Sequence, residues 1–157
     1  MTADLSALVQ AVDHVGIAVW DLDTAIEFHC QTFGLVVTHR EENVEQGVSE
    51  AMLMPAGDIG EGAAVQLLAP LRPDSPIGGF LERSGPGLQQ LAYRVGDVEA
   101  VAASLRLAGV RMLYEQAKRG TGGSLINFAH PKDTGGVLVE LVQPPPGARQ
   151  VDAPSPG

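Results

Sequence analysis

The chain carries one pattern twice. Asp13-His14-Val15-Gly16-Ile17-Ala18-Val19-Trp20-Asp21-Leu22-Asp23 is matched by Gln89-Gln90-Leu91-Ala92-Tyr93-Arg94-Val95-Gly96-Asp97-Val98-Glu99. In both, strand-like alternation gives way to an acidic pair of the kind that opens a helix. Val65-Gln66-Leu67-Leu68 is matched in turn by Val139-Glu140-Leu141-Val142. His14 and Gln90 lie 76 residues apart, and Gln66 and Glu140 lie 74 apart, so the chain reads as a tandem duplication of one module.

The order of elements repeats as well. Residues 1–11 form a leader, 12–70 the first module, 71–87 a linker with a short helix begun by Pro76, and 88–143 the second module. The tail, 144–157, has five prolines and few apolar residues and reads as disordered. In the first module, strands are expected at 12–19, 35–42, 48–54 and 63–69. A helix runs from Asp21 or Asp23 to about Phe33, where Gly34 stops it. In the second, strands are expected at 88–95, 110–115, 124–129 and 136–142, with a helix at 97–108 stopped by Gly109. A single βαβββ unit of this kind cannot bury both faces of its sheet. Two tandem βαβββ modules make one curled mixed sheet with a central concave site and helices outside, an α+β fold.

Composition narrows the function. Hydrophobic residues make up 45% of the chain, enough for a core, yet no apolar run reaches the ~18 residues of a membrane span. A net charge of −9 argues against a nucleic-acid surface. The lone Cys30 can form no internal disulfide, and the first residues lack a basic, apolar leader, so a cytoplasmic protein is expected.

Against this apolar background four polar residues stand out: His14, Gln66, Gln90 and Glu140. One histidine among valines is ordinarily a core residue with a backbone partner, and a glutamine is ordinarily a surface group. Glu140 is different, because a carboxylate within Gly136–Val142 is costly to bury unpaired. All four fall at equivalent strand positions of the two copies, which is hard to obtain by chance. Their mixed nitrogen and oxygen donors suit a divalent metal with positions left open for substrate oxygens.

At this point the chain resembles the vicinal oxygen chelate (glyoxalase/bleomycin-resistance) superfamily. Over nearly all of residues 12–143 it is similar to the acyl-CoA epimerase branch. The resemblance is carried by Asp13–Val19, the Glu45-Gln46-Gly47 loop within His39–Glu50, the Asp74-Ser75-Pro76 turn, His130-Pro131-Lys132 and Gly135–Leu141. It implies epimerisation of the 2R and 2S forms of methylmalonyl-CoA, or of a close 2-substituted malonyl-CoA, and a homodimer. It also implies His14, Gln66 and Glu140 as ligands of a divalent ion such as cobalt, manganese or zinc, with Glu50 and Glu140 as the catalytic acid/base pair. The fourth family ligand is the second histidine of Gly-Leu-His-His, which here reads Gly87-Leu88-Gln89-Gln90, so Gln90 offers a neutral amide at that corner. Lys118, Arg119 and Lys132 are the basic candidates for the coenzyme A phosphates, and Gln46 and Ser75 are further substrate-binding candidates. Two rival readings follow from the change at Gln90 and from the net charge. One is a divergent, metal-free isomerase, cyclase or lyase of a related acyl or polyketide substrate. The other is a non-enzymatic antibiotic-binding protein, which the 4% aromatic content disfavours.

Overall fold

The computed structural model describes residues 8–57 and 62–147. Most of the expected leader, the tip of the turn after Pro55 and most of the expected tail lie outside the described residues. The chain folds into one mixed sheet of eight strands in the order β2-β3-β4-β1-β5-β8-β7-β6. The first copy supplies β1 (Ala11–Ala18), α1 (Leu22–Phe33), β2 (Leu35–Asn43), β3 (Val48–Pro55) and β4 (Ala64–Pro70). A connecting helix, α2 (Pro76–Ser84), leads to β5 (Gly87–Arg94), α3 (Val98–Leu107), β6 (Lys118–Arg119), β7 (Leu125–Ala129) and β8 (Val139–Gln143).

Helix starts follow from local chemistry. Asp21, Ser75 and Asp97 each accept a hydrogen bond from the backbone N–H three residues on, and so cap α1, α2 and α3. Gly34 ends α1 in the left-handed conformation at φ 70°, which a residue with a Cβ adopts only at a cost.

Strand parity then sorts side chains. Leu53 and Leu67 face outward under α1 with Leu22, and Leu141 faces outward under α3 with Val95, Val98 and Val101. Each such fully buried leucine contributes about 1.5–3 kcal/mol. The neighbours of opposite parity, Gln66 on β4 and Glu140 on β8, therefore point into the concavity. There Ala18, Val48 and Leu68 meet Ile77 and Leu81 of α2, which closes one end of the hollow.

The seam between the copies is the antiparallel pair β1–β5, and it has near-twofold symmetry. His14 lies opposite Ala92 and Gly16 opposite Gln90, so each polar residue faces a small one. Gln66 sits beside Gly16, two residues past His14, and Glu140 sits beside Ala92, two residues past Gln90. The pairing skips one residue on each strand, Asp13 on β1 and Gln89 on β5. These are β-bulges, which turn a side chain that simple alternation would send to the other face.

The second copy departs from expectation at one place. Residues 110–115 form no strand and make only one isolated bridge, Met112 to Ala129. Two backbone bonds tie it to β7 and the turn after it, from Leu113 N to the Phe128 carbonyl and from His130 N to the Arg111 carbonyl, and side chains add to them. The Asn127 amide pairs with the backbone of Tyr114 through both its oxygen and its nitrogen, and Arg106 donates to the carbonyls of Tyr114 and Glu115. The edge strand is β6, inside a segment that reads as a loop from sequence.

A Cβ on Gly16 would lie 2.5 Å from Gln90 Cγ and 3.2 Å from Leu68 Cδ1. Gly16→Ala should therefore displace the Gln90 side chain and cost about 1–3 kcal/mol in urea unfolding. Gly87→Ala, where nothing lies within 4 Å, should change stability by less than ~0.5 kcal/mol.

Candidate active site

Four strands deliver the polar row, and all four side chains are buried: His14 3% exposed, Gln66 3%, Gln90 8% and Glu140 5%. Buried polar groups must satisfy one another, and these do. Gln90 Nε2 donates to Glu140 Oε2 at 2.5 Å and to Gln66 Oε1 at 3.1 Å. It also lies 3.3 Å from His14 Nε2, which is 3.2 Å from Glu140 Oε2. The bulge residue Asp13 holds the other ring nitrogen of His14 at 2.7 Å, and Arg94 donates to Asp13 at 2.9 Å. Burial favours a neutral His14, but the hydrogen bonds to Asp13 and Glu140 outweigh it and raise its pKa to about 9.

The row continues to a second carboxylate. Gln66 Nε2 donates to Glu50 Oε2 at 3.0 Å, and Thr121 Oγ1 donates to Glu50 Oε1 at 2.5 Å. Burial pushes the Glu50 carboxyl up to about 7 against the Thr121 hydrogen bond, and the nearby Glu41 charge adds to the rise. The two carboxylates thus stand at opposite ends of an amide pair, Gln66 and Gln90.

The row borders two hollows. A cleft of about 160 Å³ is lined by Glu50, Gln66, Gln89, Gln90, Glu140 and Tyr114, among others. A more open hollow of about 270 Å³ has Asp13, His14, His39, Arg94, Thr121 and Glu140 in its wall. Gln89 Oε1 is buried without a hydrogen-bond partner among the described residues.

Once His14 releases the proton on Nε2, the donor chemistry fits a divalent ion at His14, Gln66 and Glu140. An imidazole nitrogen, an amide oxygen and a carboxylate form a mixed set of the borderline type. The Asp13 contact is the outer support that orients a ligating imidazole. The 3.2 Å between His14 Nε2 and Glu140 Oε2 suits two neighbouring ligands each about 2.1 Å from one ion. The fourth corner is unlike the other three, since Gln90 presents N–H there. Among the described residues no three His, Cys, Asp or Glu side chains gather as a metal cluster, because two corners are amides.

Other candidates fall around this centre. Gln46 lines the narrower cleft, and its Oε1 lies 3.4 Å from the Tyr114 hydroxyl. Lys118 and Arg119 are exposed on β6, with Lys118 Nζ 4.2 Å from the Tyr114 ring centre. Ser75 and Lys132, like Lys118 and Arg119, stand outside the cleft lining. The buried Ser75 hydroxyl accepts from Gly78 N as the cap of α2, so its polarity serves the helix. Lys132 lies in a short 3-10 turn, Pro131–Asp133, beyond the end of β7. Sequence reasoning missed Thr121, Asp13 and Tyr114. Only the glycines around Thr121 hint at a close approach, and nothing local shows that this loop meets Glu50.

The sequence matches the Glyoxalase/Bleomycin resistance protein/Dioxygenase superfamily over residues 13–128. It is 38% identical over 133 residues to human mitochondrial methylmalonyl-CoA epimerase, covering 84% of this chain and 73% of that one. The fold matches a crystal structure of methylmalonyl-CoA epimerase from Mycobacterium tuberculosis with a TM-score of 0.84 and 52% identity, covering 90% and 92% of the two chains. It also matches a methylmalonyl-CoA epimerase solved with methylmalonyl-CoA and NH4+, with a TM-score of 0.83 and 45% identity, covering 90% and 99%.

Glu50 gives a pH test. Its folded pKa of about 7 lies above the ordinary 4.5, so stability falls as pH rises from about 4.5 through 7. The unfolded chain sheds that proton early and the folded chain keeps it. Glu50→Gln removes this loss. Urea unfolding at about pH 8.5 should find E50Q more stable than wild type by on the order of 1–3 kcal/mol, and the gain should largely vanish near pH 4.

Proposed function

The chain belongs to the glyoxalase/bleomycin resistance protein/dioxygenase superfamily, and we propose that it interconverts the 2R and 2S forms of methylmalonyl-CoA. The observation that carries this reading is the pair of buried carboxylates, Glu50 and Glu140, that face one cleft from different strands.

The C2 hydrogen of such a substrate lies between a thioester and a carboxylate. Removing it as a proton leaves the electron pair delocalised onto the thioester oxygen as an enolate. Inversion needs one group to take that proton and a second to give one back on the opposite face. Glu50 and Glu140 fill these roles, with the substrate seated between them. With its pKa at about 7, Glu50 holds a proton in about half of the molecules at neutral pH and so works in either direction. Thr121 and Gln66 fix the Glu50 oxygens, and His14 holds Glu140 Oε2, joined by Gln90 while no ion is bound, so neither carboxylate swings away from C2. Ile77, Leu68 and Phe128 in the cleft wall exclude water from the carbanion. When bound at His14, Gln66 and Glu140, a divalent ion such as cobalt, manganese or zinc supplies positive charge close to the developing negative oxygen. Lys118 and Arg119, exposed near the cleft mouth, meet the coenzyme A phosphates. The assembly we infer is a cytoplasmic homodimer, since among the described residues β2 and β6 leave both ends of the sheet unpaired and Cys30 is a free thiol.

Deuterium wash-in at C2 tests the reading. Wild type, with metal supplied, should exchange the C2 proton of both methylmalonyl-CoA enantiomers. Glu50→Gln should slow epimerisation by a factor on the order of 100 or more while exchange from one enantiomer survives. Glu140→Gln should lose turnover and metal affinity together. A wild-type protein that exchanges neither enantiomer would overturn the assignment, and undiminished turnover in E50Q would remove Glu50 from the mechanism.

A further inference from the structure

We propose that the Gln90 carboxamide is an internal occupant of the cation position, so that a divalent ion enters the site only by displacing that amide. The inference rests on the assignment of His14, Gln66 and Glu140 as the ion's donors. Those three ligand atoms do not surround an empty point. They surround Gln90 Nε2, at 3.3 Å from His14 Nε2, 3.1 Å from Gln66 Oε1 and 2.5 Å from Glu140 Oε2. An ion with ligands at about 2.1 Å from the same three atoms would need the volume that the amide nitrogen fills.

The orientation of the amide is fixed by its neighbours. Glu140 Oε2 accepts only, unless it carries a proton. Gln66 turns its own nitrogen to Glu50 and so must turn its oxygen to Gln90. Facing two acceptor oxygens, Gln90 has to present N–H, and a carbonyl turned inward would meet them with like charge. The stem is built to reach this point, since Gly16 opposite leaves the room its Cγ occupies. The amide thus does for the metal-free protein what an ion would do for the loaded one. It gives Gln66 Oε1 a partner and Glu140 Oε2 a second one beside His14.

This differs in sign from a role as fourth ligand, and substitution separates the two. A ligand's removal weakens ion binding, whereas an occupant's removal spares the ion the cost of breaking a charge-assisted hydrogen bond. Cobalt(II) would be titrated by calorimetry into chelator-treated wild type, Gln90→Ala and Gln90→Asn. Both variants should bind it at least as tightly as wild type, with a gain of up to about tenfold. Gln90→Asn keeps the polarity but retracts the amide by one methylene, and it serves should the alanine variant fail to fold. Thermal melting in chelator should show Gln90→Ala less stable than wild type, with cobalt(II) restoring more of its stability than it adds to wild type. Cobalt(II) affinity tenfold or more below wild type in both variants would overturn the proposal and make Gln90 a ligand. No cobalt(II) binding by any of the three would overturn it too, together with the cation assignment. The epimerase reading is decided separately, by the deuterium exchange of chelator-treated and metal-supplied wild type.

Discussion

The structure depends on the way β1 and β5 pair. A β-sheet seam can bury large polar side chains only if something opposite each of them gives way. Gly16 gives way to Gln90 and Ala92 to His14. Because the two relations are related by a near-twofold axis, a single register places all four donors, two from the seam and two from the parallel neighbours β4 and β8. A slip of one residue would send every one of them to the helix-covered face. The register that packs Leu67 and Leu141 under α1 and α3 is therefore also the one that assembles the site.

The copies have the same scaffold and different chemistry. At the first copy's seam position stands an imidazole backed by Asp13 and Arg94, and at the second an amide. Towards the edges, β3 carries Glu50, and the second copy answers with the loop that carries Thr121, beyond its two-residue β6. The two buried carboxylates consequently have different partners: Glu50 is held by a hydroxyl and an amide, Glu140 by an imidazole and an amide.

Much of this was legible in the sequence, for a definite reason. Period-2 parity is a local property, so residues of one face can be named before the partner strand is known. His14, Gln66, Gln90 and Glu140 could be grouped in this way, and so could the curled mixed sheet. What parity cannot show is which distant group meets a polar side chain. Residues 110–115 alternate like a strand and share two backbone hydrogen bonds with the β7 segment, yet from Tyr114 on the Asn127 amide and Arg106 take up the backbone groups. Thr121 sits in a glycine-rich loop with no periodicity, and its meeting with Glu50 is set by chain 71 residues away. Ser75 was readable as polar and near the cleft, but its hydroxyl answers to the unpaired N–H groups of α2, a demand every helix start makes.

The paired bulges give each seam residue a companion from its own strand. Asp13 turns beside His14 and accepts from its ring, while Gln89 turns beside Gln90 with an oxygen that meets no donor among the described residues. The second copy thus has a buried acceptor at the bulge position where the first has Asp13. An unmet acceptor of this kind is a standing bias: of the residues that can occupy position 90, one with a second N–H directed backward along the strand would gain a partner already in place. The chemistry of this corner is therefore held by one side chain rather than by the fold, and the scaffold stays poised for either arrangement.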